Sequence, residues 1–177
     1  MYRLFVAIRP PSEVRAWLLR RMGGVGGARW QSEDQLHLTL RFIGEVERPT
    51  AEDVATALAS VRVAPFEAEP SGIGAFEHRG RPEALWAGVE PQKPLKALHS
   101  KVDLACVRAG LEPERRSYLP HITLARLGRD CGSVAGLLEQ EGGARGPTFS
   151  VDGFGLFESR RGPDGATYSL IEHYPAR

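Results

Sequence analysis

The chain has 177 residues, 42% of them hydrophobic and 25% charged, with a formal net charge of +1. That length and balance suit one ordinary globular unit or two small lobes around a real core, and they exclude a disordered or fibrous chain. A charge so close to neutrality argues against a long phosphate track, while allowing a small site that binds one terminus of a nucleic acid.

Residues 2–9 alternate and are rich in Leu, Phe, Val and Ile, which predicts a strand rather than a signal peptide; no apolar run reaches the ~20 residues of a membrane helix. The expected compartment is the cytoplasm. Pro10-Pro11-Ser12 ends the strand and opens a helix, with Val14, Trp17, Leu18 and Met22 at helical spacing. Glycines between 23 and 27 predict a loop, with no Gly-Lys-Ser/Thr to make it a P-loop. A strand over 36–43 ends at Gly44, and Thr50 is the expected cap of a helix reaching about Val61, with Val54, Ala57, Leu58 and Val61 inward.

Strands are predicted over 66–76 and 84–90, joined by a polar loop over 77–83. Pro94 opens a helix that faces inward through Leu95, Leu98, Val102, Ala105 and Cys106 and ends at Gly110. A strand over 121–127, a short helix near 131–140 and two strands over 148–158 and 167–173 complete the chain; the turn signal between the last two is Gly162-Pro163-Asp164-Gly165. The order β-α-β-α-β-β-α-β-α-β-β, with its hairpin-like pairs, predicts an α+β fold with mostly antiparallel sheets. Cys106 and Cys131 fit no metal spacing or disulfide framework and read as reduced thiols.

One pattern recurs. His37-Leu-Thr-Leu-Arg-Phe-Ile-Gly44 lies over His121-Ile-Thr-Leu-Ala-Arg-Leu-Gly128, and each copy is followed by a helix. This predicts an ancient duplication and two similar lobes within one domain over 1–177. Along a strand, His37 and Thr39 share a face, as do His121 and Thr123, while the intervening leucine or isoleucine points to the core. If the lobes face each other, two imidazoles and two hydroxyls line one cleft. A histidine on a strand is more often a half-buried packing residue, but duplication alone does not explain a polar pair retained on both apolar strands. Glu33, Asp34 and Glu45 flank the first copy without a metal spacing, and no nucleophile motif is present. Two imidazoles can supply a base and an acid at one pH, as attack on a phosphodiester requires; Arg126, at the end of the second strand, is the candidate for neutralising the phosphate.

The paired motifs resemble those of the 2H phosphoesterases. "LFVAI" at 4–8, "LHLTLRFIGEV" at 36–46, "PHITLAR" at 120–126 and "FGLFES" at 154–159 resemble, in order and across nearly the whole chain, the bacterial and archaeal RNA 2′,3′-cyclic phosphodiesterases, also called 2′-5′ RNA ligases. The resemblance implies a bilobal α+β fold with two pseudo-symmetric lobes around a central cleft, no metal and no cofactor. It implies hydrolysis of RNA ends carrying a 2′,3′-cyclic phosphate, tRNA fragments among the candidates, to 2′-phosphates. A monomer is the default expectation, and the absence of a long apolar run predicts no membrane attachment. ATP-independent 2′-5′ ligation would be a related transesterification. By position, His37 would be the proton donor and His121 the proton acceptor, with Thr39, Thr123 and Arg126 on the phosphate. Phe76, His78 and Arg79 are candidates for base contacts by loop position. Two alternatives stay open: the same chemistry on ADP-ribose cyclic phosphate or 2′-5′ oligonucleotides, and an RNA-end binding module without catalysis.

Overall fold

In the computed structural model, which describes all 177 residues, the elements follow in this order. They are β1 (Tyr2–Ile8), α1 (Ser12–Leu19), β2 (Arg29–Trp30), a 3-10 turn (Glu33–Gln35), β3 (Leu38–Val46), α2 (Arg48–Leu58), β4 (Phe66–His78) and β5 (Arg81–Glu90). After these come α3 (Gln92–Arg108), β6 (His121–Arg126), α4 (Ala135–Glu141), β7 (Phe149–Val151), β8 (Gly153–Gly162) and β9 (Gly165–Pro175). No helix is long and apolar enough to cross a membrane.

The departures from the sequence-based boundaries have local causes. The polar segment 77–83 is not an open loop. Arg79 (φ 52°) and Gly80 (φ 77°) form a two-residue turn, so β4 and β5 zip together up to the His78–Arg81 pair. Helix α2 begins at Arg48 rather than behind a Thr50 cap, because Pro49 fits the first turn. The single strand expected over 148–158 is two: β7 pairs with β4, whereas β8 pairs with β1. The chain changes partner at Gly153, whose φ of +147° leaves no room for a side chain against the Tyr174 carbonyl.

The strands lie in the order β7-β4-β5-β6-β3-β1-β8-β9, with β2 added beside β6, and every pairing is antiparallel. Two four-stranded lobes thus meet where β3 and β6 pair, through the single couple Leu38–Ile122. Their strands match about that joint: β3 with β6, β1 with β5, and β8 with β4. The two halves of the chain exchange strands between lobes, since β4 pairs with β5 and β8 with β1. This is an α+β fold of two pseudo-symmetric lobes. The helices cover one face of the sheet: α3 packs on β3 and on α2, and α2 packs on β1. Leu38, Leu40, Ile122 and Leu124 join Leu58 and the predicted inner face of α3 in one core. Burying each such leucine stabilises the fold by about 1.5–3 kcal/mol.

Both central strands carry a bulge at the same place. In β3, Val6 pairs with Arg41 but Ala7 with Thr39, which leaves Leu40 as the extra residue. In β6, Leu85 pairs with Ala125 but Trp86 with Thr123, which leaves Leu124 extra. Leu40 and Arg41 are consequently both buried, as are Leu124 and Ala125, and the next residues, Phe42 and Arg126, turn out to the open face. The carbonyls lost from the ladder find other donors. Tyr118 Oη donates to the Thr39 carbonyl at 2.9 Å, His99 Nδ1 to the Leu40 carbonyl at 2.6 Å, and the Gln31 amide to the Leu124 carbonyl at 2.8 Å. The His99 and Tyr118 rings stack 4.1 Å apart.

Arg41 is anchored beneath the bulge by Asp103 at 3.1 Å, Glu114 at 3.7 Å and the Glu112 carbonyl. Replacing it by alanine strands two carboxylates around a partly buried void. Arg41→Ala is expected to lower the unfolding free energy by about 2–3 kcal/mol, read from urea denaturation; a loss below about 1 kcal/mol would contradict this account of the bulge.

Candidate active site

Antiparallel pairing at Leu38–Ile122 fixes the centre of the open face. Continuing the register by one residue either way sets His37 against Thr123 and Thr39 against His121. Leu38 and Ile122 are fully buried on the helix side, so the two histidines and two threonines share the other face. The predicted quartet is therefore a consequence of one ladder couple, with each imidazole opposite the other strand's hydroxyl. His37, Thr39, Thr123 and Arg126 line a cavity of about 220 Å³; His121 does not line it, but sits across the strand pair from Thr39 and packs against Phe76 and Trp86.

His37 is only 7% exposed and sits in an aromatic cage. Ring centroids are 4.8 Å away at Phe157, 5.5 Å at Tyr168 and 6.0 Å at Phe5, all edge-on. Neither ring nitrogen makes a hydrogen bond. Burial of the charged form is the main cause that pushes the His37 pKa down to about 4; the nearby Gln35 carbonyl favours protonation, and Arg9 and Arg15 oppose it.

His121 differs in one instructive way. Its Nδ1 donates to the Leu119 carbonyl at 2.7 Å, so the neutral ring carries its proton on Nδ1 and leaves the Nε2 lone pair free. Burial again lowers its pKa first; the Leu119 carbonyl raises it and the positive charge of Arg126 lowers it further. A neutral imidazole with a fixed tautomer is suited to accept a proton.

The environment of the histidines extends the pseudo-symmetry beyond the legible repeat. Phe5 pairs with Phe157 and Ala84 with Phe76, while Phe42 and Arg126 hold matching places on β3 and β6. Phe157 and Phe76 are therefore equivalent residues, and each packs edge-on to its histidine, at 4.8 and 4.9 Å. Sequence reading missed Phe157, Tyr168, Gln35 and Ser159 around His37. Phe157 lies in the "FGLFES" segment that was legible as a match but not as a contact. Of the three base-contact candidates, Phe76 reaches a histidine, whereas His78 and Arg79 at the β4–β5 turn line neither of the cavities beside His37.

Arg126 reaches the cavity only because of the β6 bulge; strict alternation from His121 and Thr123 would place Ala125 there. No ion pair engages Arg126. No three His, Cys, Asp or Glu side chains converge as a metal-binding group. Chemically, the arrangement offers two titratable rings, two hydroxyls and the unpaired Arg126 guanidinium about a space large enough for a phosphoryl group.

The model of the 2′-5′ RNA ligase superfamily matches residues 10–163. A protein of Aeropyrum pernix named RNA 2′,3′-cyclic phosphodiesterase is 34% identical over 137 residues, covering 74% of this chain and 78% of the relative. A protein of the same name from Thermus thermophilus is 32% identical, covering 99% of this chain and 90% of the relative. Among solved structures, TT0787 of Thermus thermophilus superposes with a TM-score of 0.79 at 28% identity, covering 99% of this chain and 98% of that one. LigT of E. coli complexed with 3′-AMP gives a TM-score of 0.78 at 23% identity, over 99% and 98% of the two chains, and bears on the fold.

Proposed function

The chain belongs to the 2′-5′ RNA ligase superfamily, and from that premise we propose that it hydrolyses RNA ends bearing a 2′,3′-cyclic phosphate to 2′-phosphomonoesters. The observation that carries the proposal is the Leu38–Ile122 couple, which sets two His–Thr pairs on one face. In the proposed reaction His121 Nε2 takes a proton from water, whose oxygen attacks phosphorus. The P–O3′ bond breaks, and His37 gives its proton to the departing 3′ oxygen. Thr39, Thr123 and Arg126 hold the non-bridging oxygens as charge accumulates on them. A 5′-hydroxyl in place of water would form a 2′-5′ linkage by the same exchange, with the strained ring supplying the driving force and no ATP consumed. The enzyme acts as a monomer in the cytoplasm, and its two lobes are one domain of duplicated origin.

The test is turnover by the purified protein on three substrates in parallel: a dinucleotide with a 2′,3′-cyclic phosphate, a 2′-5′ dinucleotide and a linear phosphomonoester. Only the first is expected to be consumed rapidly. Excess EDTA is expected to leave that rate unchanged, because side chains supply acid, base and phosphate donors; a strict requirement for added Mg²⁺ or Zn²⁺ would overturn the mechanism.

A pH prediction follows from the two lowered pKa values. The active form needs one protonated and one neutral ring. In the free protein burial disfavours the protonated state of both, so the maximum of the bell-shaped kcat/KM profile is expected on the acid side of the ordinary histidine value of about 6.5. A bound phosphate anion favours protonation, so the kcat profile is expected at higher pH than that of kcat/KM. Coincident profiles centred above about pH 7 would contradict this.

A further inference from the structure

Two cavities meet at His37 and share Gln31, Gln35, Ala166 and Tyr168, but their charges differ. The larger, about 590 Å³, is bordered by the β8–β9 turn and carries Arg9, Asp34 and Asp164, with Arg9 already paired to Asp34 at 3.1 Å. The smaller holds three guanidiniums, of Arg3, Arg126 and Arg161, and no carboxylate. None of the three is in an ion pair. Glu45, the cross-strand partner of Arg3, forms no salt bridge with it and does not line the cavity. Three unpaired cations around one cavity are costly in a protein of net charge +1 unless an anion is to fill it.

The scissile phosphate, in the proposed function, engages Arg126. Arg3 and Arg161 lie farther along. Phe5 and Phe157 are paired beside His37. Arg3 stands two residues beyond Phe5 on β1, an advance of about 6–7 Å, and Arg161 four residues beyond Phe157 on β8. One nucleotide step of an extended strand covers a distance on the order of the first of these. Between Arg3 and Arg126 lies Phe42, half exposed, with the Arg3 guanidinium 5.1 Å above its ring. A flat aromatic beside unpaired arginines is the combination that binds single-stranded nucleic acid through phosphate and base together.

We infer that Arg3 and Arg161 form a second anionic subsite, which holds the phosphodiester joining the terminal nucleotide to its 5′ neighbour, with Phe42 as the surface for that neighbour. The inference rests on the cyclic phosphodiesterase reading and refines it. The site selects an RNA chain end over a cyclic mononucleotide, and the selectivity resides in arginines distant from the acid–base pair.

The experiment compares a 2′,3′-cyclic mononucleotide, the matching dinucleotide with one internal phosphodiester, and that dinucleotide with a neutral methylphosphonate at the internal linkage. The quantity read is the ratio of kcat/KM between dinucleotide and mononucleotide. Wild type is expected to favour the charged dinucleotide by at least about tenfold and to lose most of that preference with the methylphosphonate. Arg3→Gln and Arg161→Gln are expected each to reduce the ratio severalfold, the double variant to bring it near unity, and Arg3→Lys to retain part of it. An equal ratio for both dinucleotides in wild type, or variants that slow all three substrates alike, would overturn the subsite. Calorimetric binding of the 2′-phosphorylated dinucleotide and its methylphosphonate counterpart reads the same site without turnover. If no cyclic phosphate is consumed, the functional reading fails; equal affinity for the two ligands would separately overturn the subsite.

Discussion

His121→Ala is expected to lower kcat on a 2′,3′-cyclic phosphate by about 10²–10⁴-fold, and His37→Ala to do the same, each for the loss of one general acid–base group. The two losses differ in kind, and the leaving group separates them. With sulfur in place of the 3′ oxygen, the departing thiolate needs no proton, so His37→Ala recovers most of its rate. His121→Ala does not, because water still needs a base. The tautomer fixed by the Leu119 carbonyl gives a structural reason for that division, since it leaves Nε2 of His121 as an acceptor. His37 has no such fixed partner and is pushed to a pKa of about 4 by burial among Phe5, Phe157 and Tyr168. In the proposed reaction it takes up the proton it donates when the phosphate anion arrives. Steady-state rates for both variants on oxygen and sulfur substrates check this; rescue of His121→Ala, or equal rescue of both, would reverse or remove the assignment.

Arg126→Ala is the second large effect, expected at about 10²–10³-fold in kcat, the magnitude of a lost oxyanion donor in a water-poor site. In the proposed reaction its charge acts on phosphate oxygens that become more negative in the transition state, so kcat is expected to fall more than KM rises. Arg126→Lys restores only part of the rate if the contact is bidentate, since an ammonium cannot present two parallel donors. A variant that raised KM alone would show that Arg126 serves ground-state binding.

Much of this was legible in the sequence for a definite physical reason. His-x-Thr on a strand is a period-two statement, and its recurrence gave the face, the pairing partners and the two-lobe plan. The inward positions of α3 followed from its 3.6 period. Bulges, in contrast, leave no sign in a pattern of alternation. Leu40-Arg41 and Leu124-Ala125 look like ordinary strand residues, and only the cross-strand register shows that two successive side chains turn inward. The same limit hid the cage of His37, because Phe5, Phe157 and Tyr168 are distant in sequence and meet only when β8 returns to pair with β1. It also hid the split of 148–158 at Gly153, where one glycine passes the chain from one lobe to the other. The tight turn at Arg79-Gly80 leaves no open loop to carry His78 and Arg79 toward the site, and no local signal in 77–83 distinguishes such a turn from a loop.

The most direct measurement is the identity of the product. A dinucleotide ending in a 2′,3′-cyclic phosphate, incubated with the purified protein in excess EDTA and followed by ³¹P NMR, is expected to give the 2′-phosphomonoester alone, and the His37→Ala/His121→Ala double variant is expected to give none. A 3′-phosphomonoester product, or undiminished turnover by the double variant, would contradict the two-histidine account.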